Sequence, residues 1–180
     1  MKKIFMGILF IYSGLLLSSQ YLLAQNNQSA NFSNSSIDIG IVVKDVDKTA
    51  KFYSEAIGLK EVQGFNVSKE IAKRFGLTDG DPLNVRVFVL GDAPNSAKLK
   101  IMSFPSKQVK KSSQKFINST LGFSYLTIFV EDMTDSLNRL KKAEVKLLGE
   151  TPALLPDGIR YITVFKDPDG NYFELIGPMN

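Results

Sequence analysis

The chain has 180 residues, 44% of them hydrophobic, with 22 basic and 18 acidic side chains and a formal charge of +4. That length suits one compact domain with a substantial core and leaves little room for a second. The absence of histidine and cysteine excludes imidazole as base, shuttle or metal ligand, excludes Ser-His-Asp and Cys-His nucleophiles, and leaves no disulfide to hold an exported fold.

Residues 1–25 have the pattern of a secretory leader. Lys2 and Lys3 precede the largely apolar run from Ile4 to Leu17, and Ala24 supplies a small residue for cleavage there or at Gln25. The expected location is therefore secreted or periplasmic. An uncleaved signal holding the chain to a membrane is the alternative, but Ser18-Ser19-Gln20 interrupt the run short of the roughly 20 residues a span requires. Removing Lys2 and Lys3 from the 22 basic residues leaves 20 against 18 acidic ones, a net +2. That is too weak a charge to argue for nucleic acid as a partner.

Residues 26–36 are Asn/Ser-rich and aperiodic, as a flexible lead-in would be. The domain should begin at Ile37 with a strand to Val43. Asp45 can cap a helix over 46–57, whose stripe of Val46, Ala50, Phe52, Tyr53 and Ile57 ends at Gly58. A strand over 59–65, a short inserted helix over 67–75, and strands over 84–90 and 98–104 complete a first module. Residues 105–121 read as a linker. Its cluster of Lys107, Lys110, Lys111 and Lys115 among Ser and Gln reads as a solvated connector.

The pattern then starts again. A strand over 122–130, the Asp132 cap, a helix over 133–143 and strands over 145–148 and near 162–166 and 172–176 repeat the first module. A shift of 87 positions lays Val43-Lys44-Asp45 on Val130-Glu131-Asp132. The expected class is α+β, two βαβββ modules over about 37–104 and 122–178 that form a shared cavity. Asp167-Pro168-Asp169-Gly170-Asn171 is the tight turn of the closing hairpin.

Strand parity assigns side chains to faces. Ile39, Ile41 and Val43 should pack on the first helix, with Asp38, Gly40 and Val42 opposite. Lys100 and Met102 oppose Leu99 and Ile101. In the second module Tyr125, Thr127 and Phe129 oppose Leu126, Ile128 and Val130, and Tyr172, Glu174 and Ile176 oppose Phe173 and Leu175. One polar residue from each module-edge strand thus turns to the cavity face: Asp38, Lys100, Tyr125 and Glu174.

The repeat, with Ile39-Gly40-Ile41-Val42-Val43-Lys44-Asp45, Phe52-Tyr53 and Gly58-Leu59, and the closing stretch from Asp167 to Leu175 resemble the vicinal oxygen chelate superfamily. That group includes glyoxalase I, extradiol dioxygenases and the bleomycin and fosfomycin resistance proteins. The resemblance covers residues 37–178. It implies a cavity built from paired βαβββ modules, members that often form homodimers, and, in metal-binding members, one divalent ion held by His or Gln, Glu, His or Gln, and Glu. Asp38 stands at the first of these places, Lys100 on or beside the second, Tyr125 at the third and Glu174 at the fourth. Only Glu174 matches. Asp38 and Glu174 are the candidate metal ligands, yet an ammonium at Lys100 would repel a cation. The expectation is a pocket without cofactor in which Lys100 lies between Asp38 and Glu174, with the Tyr125 hydroxyl beside them; a divalent metal is the alternative.

Three functions compete. The resemblance to the resistance proteins implies small-molecule binding, with Asp38, Arg86, Lys100, Tyr125, Phe129 and Glu174 as ligand-binding residues and Phe88, Met102 and Tyr161 adding apolar lining. The second is an enzyme, a metal-dependent lyase, isomerase or dioxygenase, or one that uses Glu174 as catalytic base. The third is a structural module whose pocket is filled by Phe88, Phe129 and Met102.

Overall fold

The computed structural model describes residues 33–104, 107, 109–111 and 114–180. The leader and most of the lead-in lie outside the described residues. Among the described residues no helix is long and apolar enough to cross a membrane.

The first module runs β1 (Ile39–Val42), α1 (Val46–Lys51), β2 (Lys60–Val67), α2 (Lys69–Arg74), β3 (Leu83–Val89) and β4 (Lys98–Ser103). Asp45 caps α1 as its sequence position predicts, accepting from the Lys48 N–H at 3.0 Å. The helix continues without a break into a π-wound turn, Phe52–Ile57, and Gly58 ends it at φ +89°, a left-handed conformation that glycine adopts without steric cost. Thr49, Ala50, Tyr53, Ala56 and Ile57 form its buried stripe.

The second module runs β5 (Tyr125–Phe129), α3 (Met133–Lys142), β6 (Ala153–Leu154), β7 (Arg160–Lys166) and β8 (Tyr172–Pro178). Asp132 caps α3 through the N–H groups of Thr134 and Asp135. The strand expected over 145–148 is reduced to a single bridge between Leu147 and Phe165, and its place at the sheet edge passes to β6. Gly149, at φ +61°, turns the chain aside, and Pro152 has no N–H to donate to a ladder.

The two four-stranded sheets have matching orders, β1-β4-β3-β2 and β5-β8-β7-β6. In each, the outermost paired strands are parallel and the rest antiparallel, with Ile39 opposite Leu99 and Leu126 opposite Phe173. The register bears out the parity of these strands: Ile39, Ile41, Leu99 and Ile101 share one face, as do Leu126, Ile128, Phe173 and Leu175.

These apolar faces meet in a single core that draws on both modules and both long helices. Tyr53 of the first module lies 6.0 Å from Phe88 of its own sheet and 5.7 Å from Phe173 of the other, centroid to centroid. Phe165 and Phe173 stack at 5.9 Å. Phe88, Phe165 and Phe173 are almost wholly buried, and each contributes about 2 kcal/mol by leaving water.

The turn between β7 and β8 closes the join. The Tyr53 hydroxyl donates to Asp167 Oδ2 at 2.6 Å, while Asp169 accepts from the Lys44 N–H and from the Thr49 hydroxyl, both at 3.0 Å. Burial, and then the neighbouring Asp167 carboxylate, push the Tyr53 hydroxyl far above the ordinary phenol range. Tyr53→Phe keeps the ring and removes the bond, so it should lower stability by about 1–2 kcal/mol in urea unfolding with an unchanged slope. A midpoint equal to that of the parent would show that the bond does not hold the modules together.

Candidate functional site

On the first sheet, Lys100 projects from β4 on the face opposite the main core, and its ammonium pairs with Asp38 Oδ2 at 2.8 Å. The hydrogen bond from Lys100 is the chief cause that holds the Asp38 carboxyl below its usual range. Partial burial opposes it, and the charges of Lys100 and Lys98 reinforce it.

The register sets Val87 opposite Lys100 and Val85 opposite Met102, so these residues share Lys100's face. That face is not open. Ala72 of α2 is fully buried against it, in a second core with Leu83, Val85 and Val87 and with Met102 and Phe104 packed alongside. Of the apolar residues Ile71, Ala72 and Phe75, only Ala72 is buried; Ile71 and Phe75 remain exposed.

On the second sheet, Glu174 of β8 lies opposite Thr127 of β5 and opposite Val164 of β7. Its carboxylate accepts from the Thr127 hydroxyl at 2.8 Å. Tyr125 and Phe129 flank Thr127 on the same face and are 53% and 67% exposed. Among the described residues the second module has no counterpart of α2.

The expected four-residue cluster is thus divided. Lys100 pairs with Asp38, Glu174 with Thr127, and no ion pair within 4 Å joins Lys100 to Glu174. The reason is partition between sheets: β1 and β4 are neighbours in one, β5 and β8 in the other.

Three further residues expected at the cavity lie elsewhere. Arg86 is on the helix-side face, where its guanidinium grips Glu61 at 2.6 and 2.7 Å and Asp47 at 2.9 Å. Phe88 is fully buried beneath Tyr53, and Tyr161 packs on the main core. Their parity in β3 and β7 follows Ile101 and Phe165, not Lys100 and Glu174.

Two cavities adjoin these elements. One, of about 380 Å³, lies between β1 and the start of β5 and β8; Ile39, Leu99, Phe123, Tyr125 and Tyr172 supply apolar walls, and Asp38 and Gln114 polar ones. The other, of about 440 Å³, lies where β1 runs into α1, against the β7–β8 turn, and is lined by Lys44, Lys48, Lys110 and Lys111 among others. Neither Lys100 nor Glu174 lines either one.

The linker forms a wall of both cavities, which its polar composition did not announce. It is strapped down: Lys166 donates to the Gln114 carbonyl at 2.9 Å, Gln114 to the Ser124 carbonyl, and the Tyr172 hydroxyl to the Lys115 carbonyl. Phe123 was equally unanticipated, although the alternation of Phe123, Tyr125, Thr127 and Phe129 carried the signal.

Among the described residues no three His, Cys, Asp or Glu side chains gather as a metal-ion site. The places that the resemblance gives to metal ligands hold Asp38, a position on or beside Lys100, Tyr125 and Glu174, with Asp38 already paired to an ammonium. That donor set does not fit the divalent site of the metal-binding members.

The family model described as Glyoxalase/Bleomycin resistance protein/Dioxygenase superfamily matches residues 37–175. No curated protein matches the chain. Among solved structures, a glyoxalase family protein from Bacillus cereus is similar at 19% identity and a TM-score of 0.68, over 85% of this chain and 99% of that one. The trypanothione-dependent glyoxalase I of Leishmania major is similar at 21% identity and a TM-score of 0.53, over 81% and 87%. TnmS3, an antibiotic binding protein from Streptomyces sp. CB03234, is similar at 18% identity and a TM-score of 0.55, over 82% and 99%. At these identities the likeness is one of fold.

The Asp38–Lys100 pair has a pH signature. Because the folded carboxyl titrates below its unfolded value, its contribution to stability is present above about pH 4 and is lost as pH falls through the folded value. Lys100→Met should return the Asp38 carboxyl toward the ordinary range, read from its carboxyl carbon by NMR titration. An unchanged midpoint would remove Lys100 as the cause.

Proposed function

The chain belongs to the Glyoxalase/Bleomycin resistance protein/Dioxygenase superfamily, and on that premise we propose that it binds a small, largely apolar molecule without a divalent metal. The observation that carries this reading is the cavity of about 380 Å³ beside Tyr125. Its size falls in the range of small-molecule sites, which pair mostly apolar walls with a few polar groups that fix orientation. Ile39, Leu99 and Tyr172 supply the first, and Asp38, Gln114 and the Tyr125 hydroxyl the second. Phe123 and Tyr125 stand open at the rim, 109% and 53% exposed, where aromatic rings offer contact area at low entropic cost.

The metal-free reading rests on the donor set. A hard divalent ion needs several anionic or neutral oxygen ligands turned to one point, and Lys100 neutralises one of the two carboxylates that could serve. We derive no catalytic step through an ion. The antibiotic-binding role of TnmS3, a protein of the same fold, shows that binding is a use to which such a fold can be put. The leader-like residues 1–25 support a periplasmic or secreted site of action.

A thermal-shift screen of the full chain against small aromatic and alicyclic compounds tests the proposal. A ligand present at ten times its Kd should raise Tm by about 4 °C. Tyr125→Ala, at an exposed position, should weaken that ligand about tenfold while leaving the unliganded Tm within about 1 °C. Stoichiometric zinc, nickel, iron or manganese in the purified protein would overturn the metal-free reading; a compound whose affinity ignores Tyr125→Ala would overturn the assigned cavity.

A further inference from the structure

The geometry points to a second ligand site, for a small phosphate-bearing anion, in the lysine-lined cavity of about 440 Å³. It is assembled from three remote stretches: Lys44 and Lys48 at the start of α1, Lys110 and Lys111 from the linker, and Pro168, Asp169 and Asn171 from the β7–β8 turn. Among the described residues, none of the four ammonium groups has a carboxylate within 4 Å.

Two carboxylates do share the cavity wall, and both are committed elsewhere. Asp45 accepts from the Lys48 N–H, and Asp169 from the Lys44 N–H and the Thr49 hydroxyl. The wall therefore carries a net charge of +2, with its negative charges drawn to backbone and hydroxyl donors and its positive ones free. The Lys44 and Lys48 N–H groups are already taken in this way, and the attraction assigned here is that of the lysine side chains.

One linker lysine, Lys111, lies close to the turn. A Cβ on Gly170 would lie 3.3 Å from Lys111 Cε and 3.8 Å from its Nζ, so the end of the Lys111 side chain lies against the turn, and Lys111 is among the lining residues. A concave space of this size admits one small molecule, not a polymer strand. Four flexible ammonium groups on the wall of one cavity, without a planar fork, suit the several oxygens of a phosphate or diphosphate. The site shares no lining residue with the apolar cavity except Asn171, and the two proposals can fail separately.

Calorimetric titration of the full chain with pyrophosphate at low salt tests the assignment. We expect saturable one-to-one binding that fades as salt is raised. Replacing Lys48 and Lys111 together by Gln should weaken it about tenfold, whereas replacing Lys141 and Lys142 of α3 by Gln should leave it unchanged, both double variants keeping the parent's urea midpoint. Tyr125→Ala should also leave it unchanged. Absence of saturable heat, or equal loss in the α3 control, overturns the site. Binding to phosphatidylglycerol vesicles in preference to pyrophosphate would assign the lysines to a membrane surface and overturn the small-ligand reading.

Discussion

A buried carboxylate must find donors or it destabilises the state that buries it. Asp167, 5% exposed, finds four: the N–H groups of Asp169 and Asn171, the Asn171 amide and the Tyr53 hydroxyl. Three belong to its own turn, so the hairpin is locally competent, but the fourth comes from the helix of the other module. Asp169 reaches the same helix at its first turn. The Asp-Pro-Asp-Gly-Asn turn is therefore a joint between modules as well as a connection between strands. The shared aromatic core lies beside that joint, and residues of the turn or its flank line both cavities.

The repeat is close in topology and unequal in use. Both modules present one face to the common core, and each leaves the opposite face to be dealt with. In the first, α2 lays Ala72 against it, and the Asp38–Lys100 pair stands beside that small second core. In the second, no helix takes the place of α2 among the described residues, and Tyr125 and Phe129 stay 53% and 67% exposed. The second module, with the strapped linker, thus leaves more aromatic surface open than the first sheet does on the matching face.

Much of the fold was legible along the chain. Asp45, Asp132 and Gly58 mark helix ends through local hydrogen bonding and backbone conformation, and such signals survive in any tertiary setting. Strand parity assigned Asp38, Lys100, Tyr125 and Glu174 to the faces opposite the core, because alternation is intrinsic to an extended chain. Arg86, Phe88 and Tyr161 were misplaced because parity names two faces without saying which is covered, and β3 has apolar residues on both. The strand over 145–148 failed for a different reason: its apolar pattern is real, but Gly149 and Pro152 break the ladder before it can extend.

The sequence by itself determined the two modules, their caps and their alternating faces, since each depends on residues a few positions apart. It also determined the chemistry available, with no imidazole or thiol in the chain. Only the tertiary structure decided which polar groups meet. Lys100 and Glu174 are separated because their strands enter different sheets, and Lys44, Lys48, Lys110 and Lys111 converge because the β7–β8 turn draws the helix and the linker to one place. Those outcomes depend on contacts between residues about 50 to 125 positions apart, on which local pattern has no purchase.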